Sequence, residues 1–140
     1  MIKIREIDHV VLRVIDLPKM LEFYCSILGC VVERRQDELG LVQLRAGRSL
    51  IDMVTVMGAL GGVRGGAGPI ESGRNMDHFC LRVDPFDAAA IRDFLVSNSV
   101  ATGDVASRYG AEGEGPSLYL SDPEGNTVEL KGPPSPSSSA

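Results

Sequence analysis

Asp8-His9-Val10-Val11-Leu12-Arg13-Val14 is repeated as Asp77-His78-Phe79-Cys80-Leu81-Arg82-Val83. Five of the seven positions are identical, and the two copies hold the only two histidines of the chain. Each copy is followed by a helical stretch and then by strand-like segments. The last of these sets an acid among apolar residues, as Leu50-Ile51-Asp52-Met53 and as Thr127-Val128-Glu129-Leu130. The histidines are 69 residues apart (78 − 9) and the carboxylates 77 (129 − 52). A duplicated half that brings one imidazole and one carboxylate predicts a four-ligand metal site at a pseudo-twofold axis.

Working outward, residues 7–14 are β-branched and apolar, as a buried strand requires. Side chains alternate along a strand, so His9, Val11 and Arg13 share one face and Val10, Leu12 and Val14 the other. His78, Cys80 and Arg82 share a face in the same way. Asp16-Leu17-Pro18 reads as a helix start, Met20, Leu21, Tyr24, Ile27 and Leu28 follow at helical spacing, and Gly29 supplies the stop. Asp84-Pro85-Phe86-Asp87 opens a matching helix, carrying Ile91, Phe94 and Leu95 and ending near Asn98. Strands are expected at 31–36, 39–46 and 49–56, and again at 101–106, 116–121 and 126–131. Asp122-Pro123-Glu124-Gly125-Asn126 makes the last hairpin turn.

Each half is then βαβββ, at about 5–57 and 74–131, and the fold class is α+β. One half cannot cover its own four-stranded sheet on both faces, so the halves are expected to pair within one domain, 1–132. The glycine-rich segment 58–73 reads as a mobile crossover with the character of a lid. It is not a phosphate loop, since no Gly-Lys-Ser/Thr follows. The Pro/Ser tail, 133–140, is expected to be extended or disordered.

The chain has 140 residues and a net charge of −5. That balance, with scattered basic residues and 5% aromatics, excludes nucleic acid as the natural partner. No run of about 18 apolar residues exists, so no membrane span is expected, and the N-terminus lacks a signal-peptide core. Cys25, Cys30 and Cys80 are odd in number and lie in apolar segments. They read as buried thiols of a reducing compartment, which points to a cytoplasmic protein.

A lone histidine on an apolar strand is more often structural than a ligand. Two strands placing a histidine at the same point of one motif, and two more placing a carboxylate at comparable points, change that reading. His9, Asp52, His78 and Glu129 are the expected metal ligands. Two neutral imidazoles and two carboxylates cancel a divalent charge, and mixed N/O ligation suits Ni, Co, Mn, Zn or Fe. Four protein ligands around an octahedral ion leave two positions for adjacent substrate oxygens.

The paired βαβββ pattern, the Asp-His-x-x-Leu-Arg-Val strand starts and the Asp122-Pro123-Glu124-Gly125-Asn126-x-Val128-Glu129-Leu130 ending resemble the vicinal oxygen chelate superfamily. Glyoxalase I, methylmalonyl-CoA epimerase, extradiol dioxygenases and bleomycin resistance proteins belong to that superfamily. The resemblance covers about residues 5–131 and implies a glyoxalase-like fold of curved mixed sheets around a metal-centred cleft. Position by position, the family's first-strand ligands fall on His9 and His78 and its last-strand glutamate on Glu129. Asp52 falls where glyoxalase I has a metal-binding glutamate, one methylene longer.

The resemblance implies a divalent-metal lyase or isomerase that forms a metal-stabilised enediolate, with Glu129 or Asp52 as the catalytic base. The substrate would be a small oxygenated metabolite such as a thiol hemithioacetal, and the protein a homodimer whose site lies either within one chain or between subunits. Arg13 and Arg74 fall where glyoxalase I binds a glutathione carboxylate, but Val56 replaces an expected asparagine, and 105–116 lack the expected lysines. Arg13 reads equally well as a strand-end surface charge. Two other readings stay open. One is an extradiol dioxygenase using His9, His78 and Glu129 on Fe(II), which usually has a further histidine. The other is a metal-free protein that binds an antibiotic. Tyr109 and Tyr119 could assist a dioxygenase, although Leu118-Tyr119-Leu120 reads as core.

Overall fold

A computed structural model describes residues 1, 3–64, 68, 74 and 76–136. The chain divides into two compact units, Met1–Arg74 and Asn75–Ala140, each built on a four-stranded mixed sheet.

In the first unit, β1 (His9–Val14) is followed by helix α1 (Leu17–Leu21), which continues through a wider turn over Glu22–Ile27. Asp16 caps the helix by accepting from the Lys19 N–H at 3.1 Å, and Gly29 leaves it at φ +86°. Then come β2 (Val31–Gln36), a single tight turn over Asp37–Leu39, β3 (Leu41–Ala46) and β4 (Ser49–Thr55). The order is β1-β4-β3-β2, with β1 parallel to β4 and the other pairs antiparallel.

Alternation sorts this sheet cleanly. Leu12, Val14, Val42, Leu44, Ile51 and Met53 share one face and are buried, forming the core with Met20, Phe23 and Tyr24. The opposite face carries His9, Val11, Arg13, Gln43 and Asp52. Gly40, at φ +68°, is required by a close approach as well as by its turn, because a Cβ there would meet Thr55 Oγ1 and lie 3.1 Å from the Gly58 Cα.

The second unit repeats the plan: β5 (Phe79–Arg82), α3 (Ala88–Ser97), β6 (Ala106–Gly110), β7 (Gly113–Ser121) and β8 (Thr127–Lys131), in the order β5-β8-β7-β6. Asp87 caps α3 through the Ala90 N–H at 3.1 Å. Leu118, Leu120, Val128 and Leu130 are buried on one face, and Leu95 of α3 is buried as well. The other face presents Cys80, Glu129, Lys131, Tyr119, Ser117 and Arg108 in register.

Several sequence expectations need correction. The strand expected at 101–106 forms at Ala106–Gly110, and β7 begins at Gly113 rather than 116, so a tight Ala111-Glu112 turn replaces a loop. Helix α3 starts at Ala88, after the Asp84-Pro85 pair, with Leu95 buried and Phe94 half exposed. The crossover begins with a short helix, α2 (Ala59–Arg64); residues 65–67 and 69–73, on which the lid reading falls, lie outside the described residues. Of the three free cysteines only Cys30 is buried; Cys25 is half-buried and Cys80 exposed. Residues 133–136 have no regular structure, although the Ser135 N–H donates to the Glu114 carbonyl at 2.7 Å, and 137–140 lie outside the described residues. Among the described residues no helix is long and apolar enough to cross a membrane.

Candidate metal centre

The parallel pairing of the first and last strands brings histidine and carboxylate together in each unit. Glu129 on β8 sits opposite Cys80 on β5. His78 stands two residues before Cys80, so its ring reaches back over the same face. His78 Nε2 lies 3.2 Å from Glu129 Oε1. In the first unit Asp52 on β4 sits opposite Val11 on β1, two residues after His9, and the Asp52 charge acts on the His9 ring.

Each histidine is held at its other nitrogen by the residue before it. His9 Nδ1 lies 2.8 Å from Asp8 Oδ2, and His78 Nδ1 lies 2.7 Å from Asp77 Oδ2. A carboxylate can only accept, so both Nδ1 atoms carry the proton. In a neutral ring Nε2 then presents a lone pair. For His78 that lone pair faces a carboxylate oxygen, an arrangement of two acceptors that is repulsive unless a proton or a metal cation lies between them. Ligands at right angles, each about 2.1 Å from a common ion, stand about 3 Å apart, which matches the observed separation. The hydrogen bond to Asp8 raises the His9 pKa, opposed by desolvation and assisted by the Asp52 and Asp8 charges.

Both carboxylates are buried, Asp52 to 5% exposure and Glu129 to 6%. Gln43, facing Asp52 across the strands, donates from Nε2 to Asp52 Oδ2 at 3.1 Å. Asp52 Oδ1 is buried with no hydrogen-bond partner. A buried, unpartnered carboxylate oxygen is costly, and a cation is the partner its chemistry calls for. In the second unit Tyr119 occupies the equivalent opposing position. Its hydroxyl interacts with the Glu129 carboxylate, and its ring meets His78 edge-on at 5.2 Å and lies under the Arg108 guanidinium at 4.5 Å. Desolvation first, and then the Glu129 charge, push the Tyr119 pKa up. Cys80 stays a protonated thiol: although the residue is exposed, desolvation of its sulfur and the Glu129 charge raise its pKa to about 11.

Of the expected ligands, His78 and Glu129 thus stand 3.2 Å apart, while His9 and Asp52 share the open face of the first sheet. Among the described residues no group of three His, Cys, Asp or Glu side chains lies close enough to hold a metal. Within the second unit the facing Nε2 and Oε1 atoms suit a shared cation, and within the first the orphaned Asp52 oxygen calls for one of its own. Arg13 donates from Nη1 to the Gly61 carbonyl at 3.2 Å, and Arg74 is half-buried outside any strand.

Sequence reasoning passed over Asp8, Asp77 and Gln43 and read Tyr119 as core. The signals were available. Both aspartates are part of the repeat, and strand alternation turns Tyr119 away from its buried neighbours Leu118 and Leu120.

The family model described as Glyoxalase/Bleomycin resistance protein/Dioxygenase superfamily matches residues 6–130. Among solved structures, a protein from the mobile metagenome of V. Pseudocholerae is 25% identical with a TM-score of 0.74, covering 94% of this chain and 97% of that one. A lactoylglutathione lyase from Agrobacterium tumefaciens is 21% identical with a TM-score of 0.64, covering 91% of this chain and 92% of that one. An antibiotic binding protein from Streptomyces sp. CB03234 is 19% identical with a TM-score of 0.63, covering 95% of this chain and 99% of that one. The last two likenesses speak to the fold. No curated protein matches the chain.

Proposed function

The chain belongs to the Glyoxalase/Bleomycin resistance protein/Dioxygenase superfamily, and from that premise we propose that it is a divalent-metal-dependent lyase or isomerase acting on a small oxygenated metabolite. The observation that carries this reading is His78 Nε2 facing Glu129 Oε1 at 3.2 Å, with Nδ1 already committed to Asp77. A binding protein that only encloses an apolar drug has no use for such a pair, nor for a buried carboxylate oxygen without a partner.

His9, Asp52, His78 and Glu129 would hold the ion. When bound, it would draw electron density from two adjacent substrate oxygens and so acidify the neighbouring C–H. The chain supplies the rest. Asp8 and Asp77 fix the imidazole tautomers, Gln43 anchors one oxygen of Asp52, and Glu129 or Asp52 takes the proton. An extradiol dioxygenase built on His9, His78 and Glu129 would need a further base, and Tyr119 beside Glu129 is the group in reach.

We further propose that the protein works as a homodimer, with His9 and Asp52 of one copy completing the site begun by His78 and Glu129 of the other.

Metal analysis of the purified protein tests the reading. One divalent ion per chain is expected, and His78→Ala should lose it while keeping the wild-type circular dichroism spectrum. Stoichiometric metal in that variant, or a metal-free wild type that binds a drug-sized ligand, would overturn the assignment. Turnover of α-ketoaldehyde–thiol adducts, set against oxygen consumption with catechols, separates lyase or isomerase from dioxygenase.

A further inference from the structure

Lys131 lies two residues beyond Glu129 on β8, so its side chain leaves the sheet on the same face. It is a lysine at 5% exposure. Its stem is accommodated by two glycines of the neighbouring hairpin: a Cβ at Gly110 would lie 2.7 Å from the Lys131 Cε, and one at Gly115 would lie 2.9 Å from its Nζ. Ser117, directly opposite Lys131 across the strands, is fully buried. From β6, Arg108 donates through Nη1 to both the Ser117 carbonyl and the Ser117 Oγ at 2.8 Å, and its guanidinium lies over the Tyr119 ring. That hydroxyl accepts from Arg108 and keeps its own hydrogen to donate.

No carboxylate among the described residues forms an ion pair with Lys131 or Arg108. The third cation of this face, Arg82, is already satisfied by Glu112 at 2.7 Å and by the Val83 carbonyl. An ammonium on a lysine only 5% exposed, with no counter-charge beside it, is poorly compensated. Two unpaired cations and a buried hydroxyl on one face form a receptor for a negative group.

We propose that Lys131, Arg108 and Ser117 form a cradle for an oxyanion, the carboxylate or phosphate group of the substrate, on the face that carries His78 and Glu129. The cradle would hold the charged end of a small acid while its oxygenated carbons lie toward the His78–Glu129 pair. This narrows the substrate to a small anionic hydroxy or oxo compound. The word substrate rests on the metal-enzyme reading; the cradle rests on the three residues alone.

The test is calorimetric titration of the full-length protein, stripped of metal with a chelator, with inorganic phosphate and separately with acetate. Saturable millimolar binding of one or both is expected, and the tighter arm tells phosphate from carboxylate. Lys131→Met should weaken it at least about tenfold, or about 1.4 kcal/mol, and Arg108→Met, at a half-buried site that tolerates change, should weaken it too. Lys131→Arg should restore most of it. Absence of saturable binding to the wild type overturns the cradle, and so does binding that is unchanged in Arg108→Met and Lys131→Met. Because the protein is metal-free, loss of anion binding leaves the metal reading standing. An His78→Ala variant that takes up no metal yet binds the anion separates the two in the other direction.

Discussion

The proton on each imidazole is placed by an aspartate that can only accept. Removing Asp77 frees the His78 ring to rotate or to change tautomer, so Asp77→Ala should weaken divalent-metal binding by about 10–100-fold without unfolding the protein. Calorimetric titration with Zn²⁺ measures this, and unchanged affinity would deny Asp77 its orienting role. Asp8 has a second, independent readout. Its hydrogen bond is the main cause of the raised His9 pKa, so in the metal-free protein Asp8→Ala should let the His9 ring titrate at lower pH, as followed by NMR. The sign follows from the direction of the shift. A raised folded-state pKa stabilises the fold fully below the ordinary value of 6.5 and loses that contribution as pH rises through the folded-state pKa; the variant should lose this pH dependence. The four ligand candidates were legible in the sequence because a repeat exposes paired residues. Tyr119 was obscured because its neighbours, Leu118 and Leu120, dominate a reading by local hydropathy.

At the scale of elements, the Asp122–Asn126 turn decides whether Glu129 faces the site. Asp122 is buried, and its Oδ1 accepts from the Glu124 and Asn126 N–H groups at 2.9 Å. Its Oδ2 accepts from Asn126 Nδ2 at 2.7 Å, and Gly125 takes φ +83°. This turn pairs Ser121 with Thr127 and so Tyr119 with Glu129. A slip of one residue would turn Glu129 into the apolar face. Asp122→Ala should cost about 2–3 kcal/mol, seen as a lower urea midpoint, and should weaken metal binding more than a surface substitution of equal cost. The Asp-Pro-Glu-Gly-Asn signal made this turn readable in advance. The β6–β7 hairpin was not, because its turn residues are Ala111 and Glu112 rather than the usual Asn-Gly or Asp-Gly pair, and the Gly113–Pro116 stretch has poor strand propensity. Helix α2 was missed for a related reason: Gly61 and Gly62 argue against a helix. A Cβ at Gly61 would strike the Thr55 carbonyl, so close approach of backbone selects the glycine there.

For the whole molecule, the proposed pairing of copies makes a prediction that no single chain could satisfy alone. Co-expressed His9→Ala and His78→Ala chains should form mixed dimers in which one of the two sites keeps all four ligands, His9 from one copy and His78 from the other. Metal should return to about one ion per mixed dimer, while either variant by itself binds none; no recovery would place each site within one chain. Sedimentation should give twice the mass of a chain, with or without metal. The sequence announced two equivalent halves, and from them came the expectation of an ion between four ligands. Periodicity says which face a residue takes, but it carries no information on which copy supplies the opposing half-site.

The duplication is chemically lopsided in one respect. Behind Asp52 stands the amide of Gln43, which holds a carboxylate oxygen but has no acidic hydrogen to exchange. Behind Glu129 stands the phenol of Tyr119, which has one. On the proposed reading, a hydrogen ion taken up by Glu129 would have that hydroxyl as a route onward, whereas one taken up by Asp52 would meet only an amide. The repeated halves would then divide the labour, with the first half gripping and the second half handling the traffic.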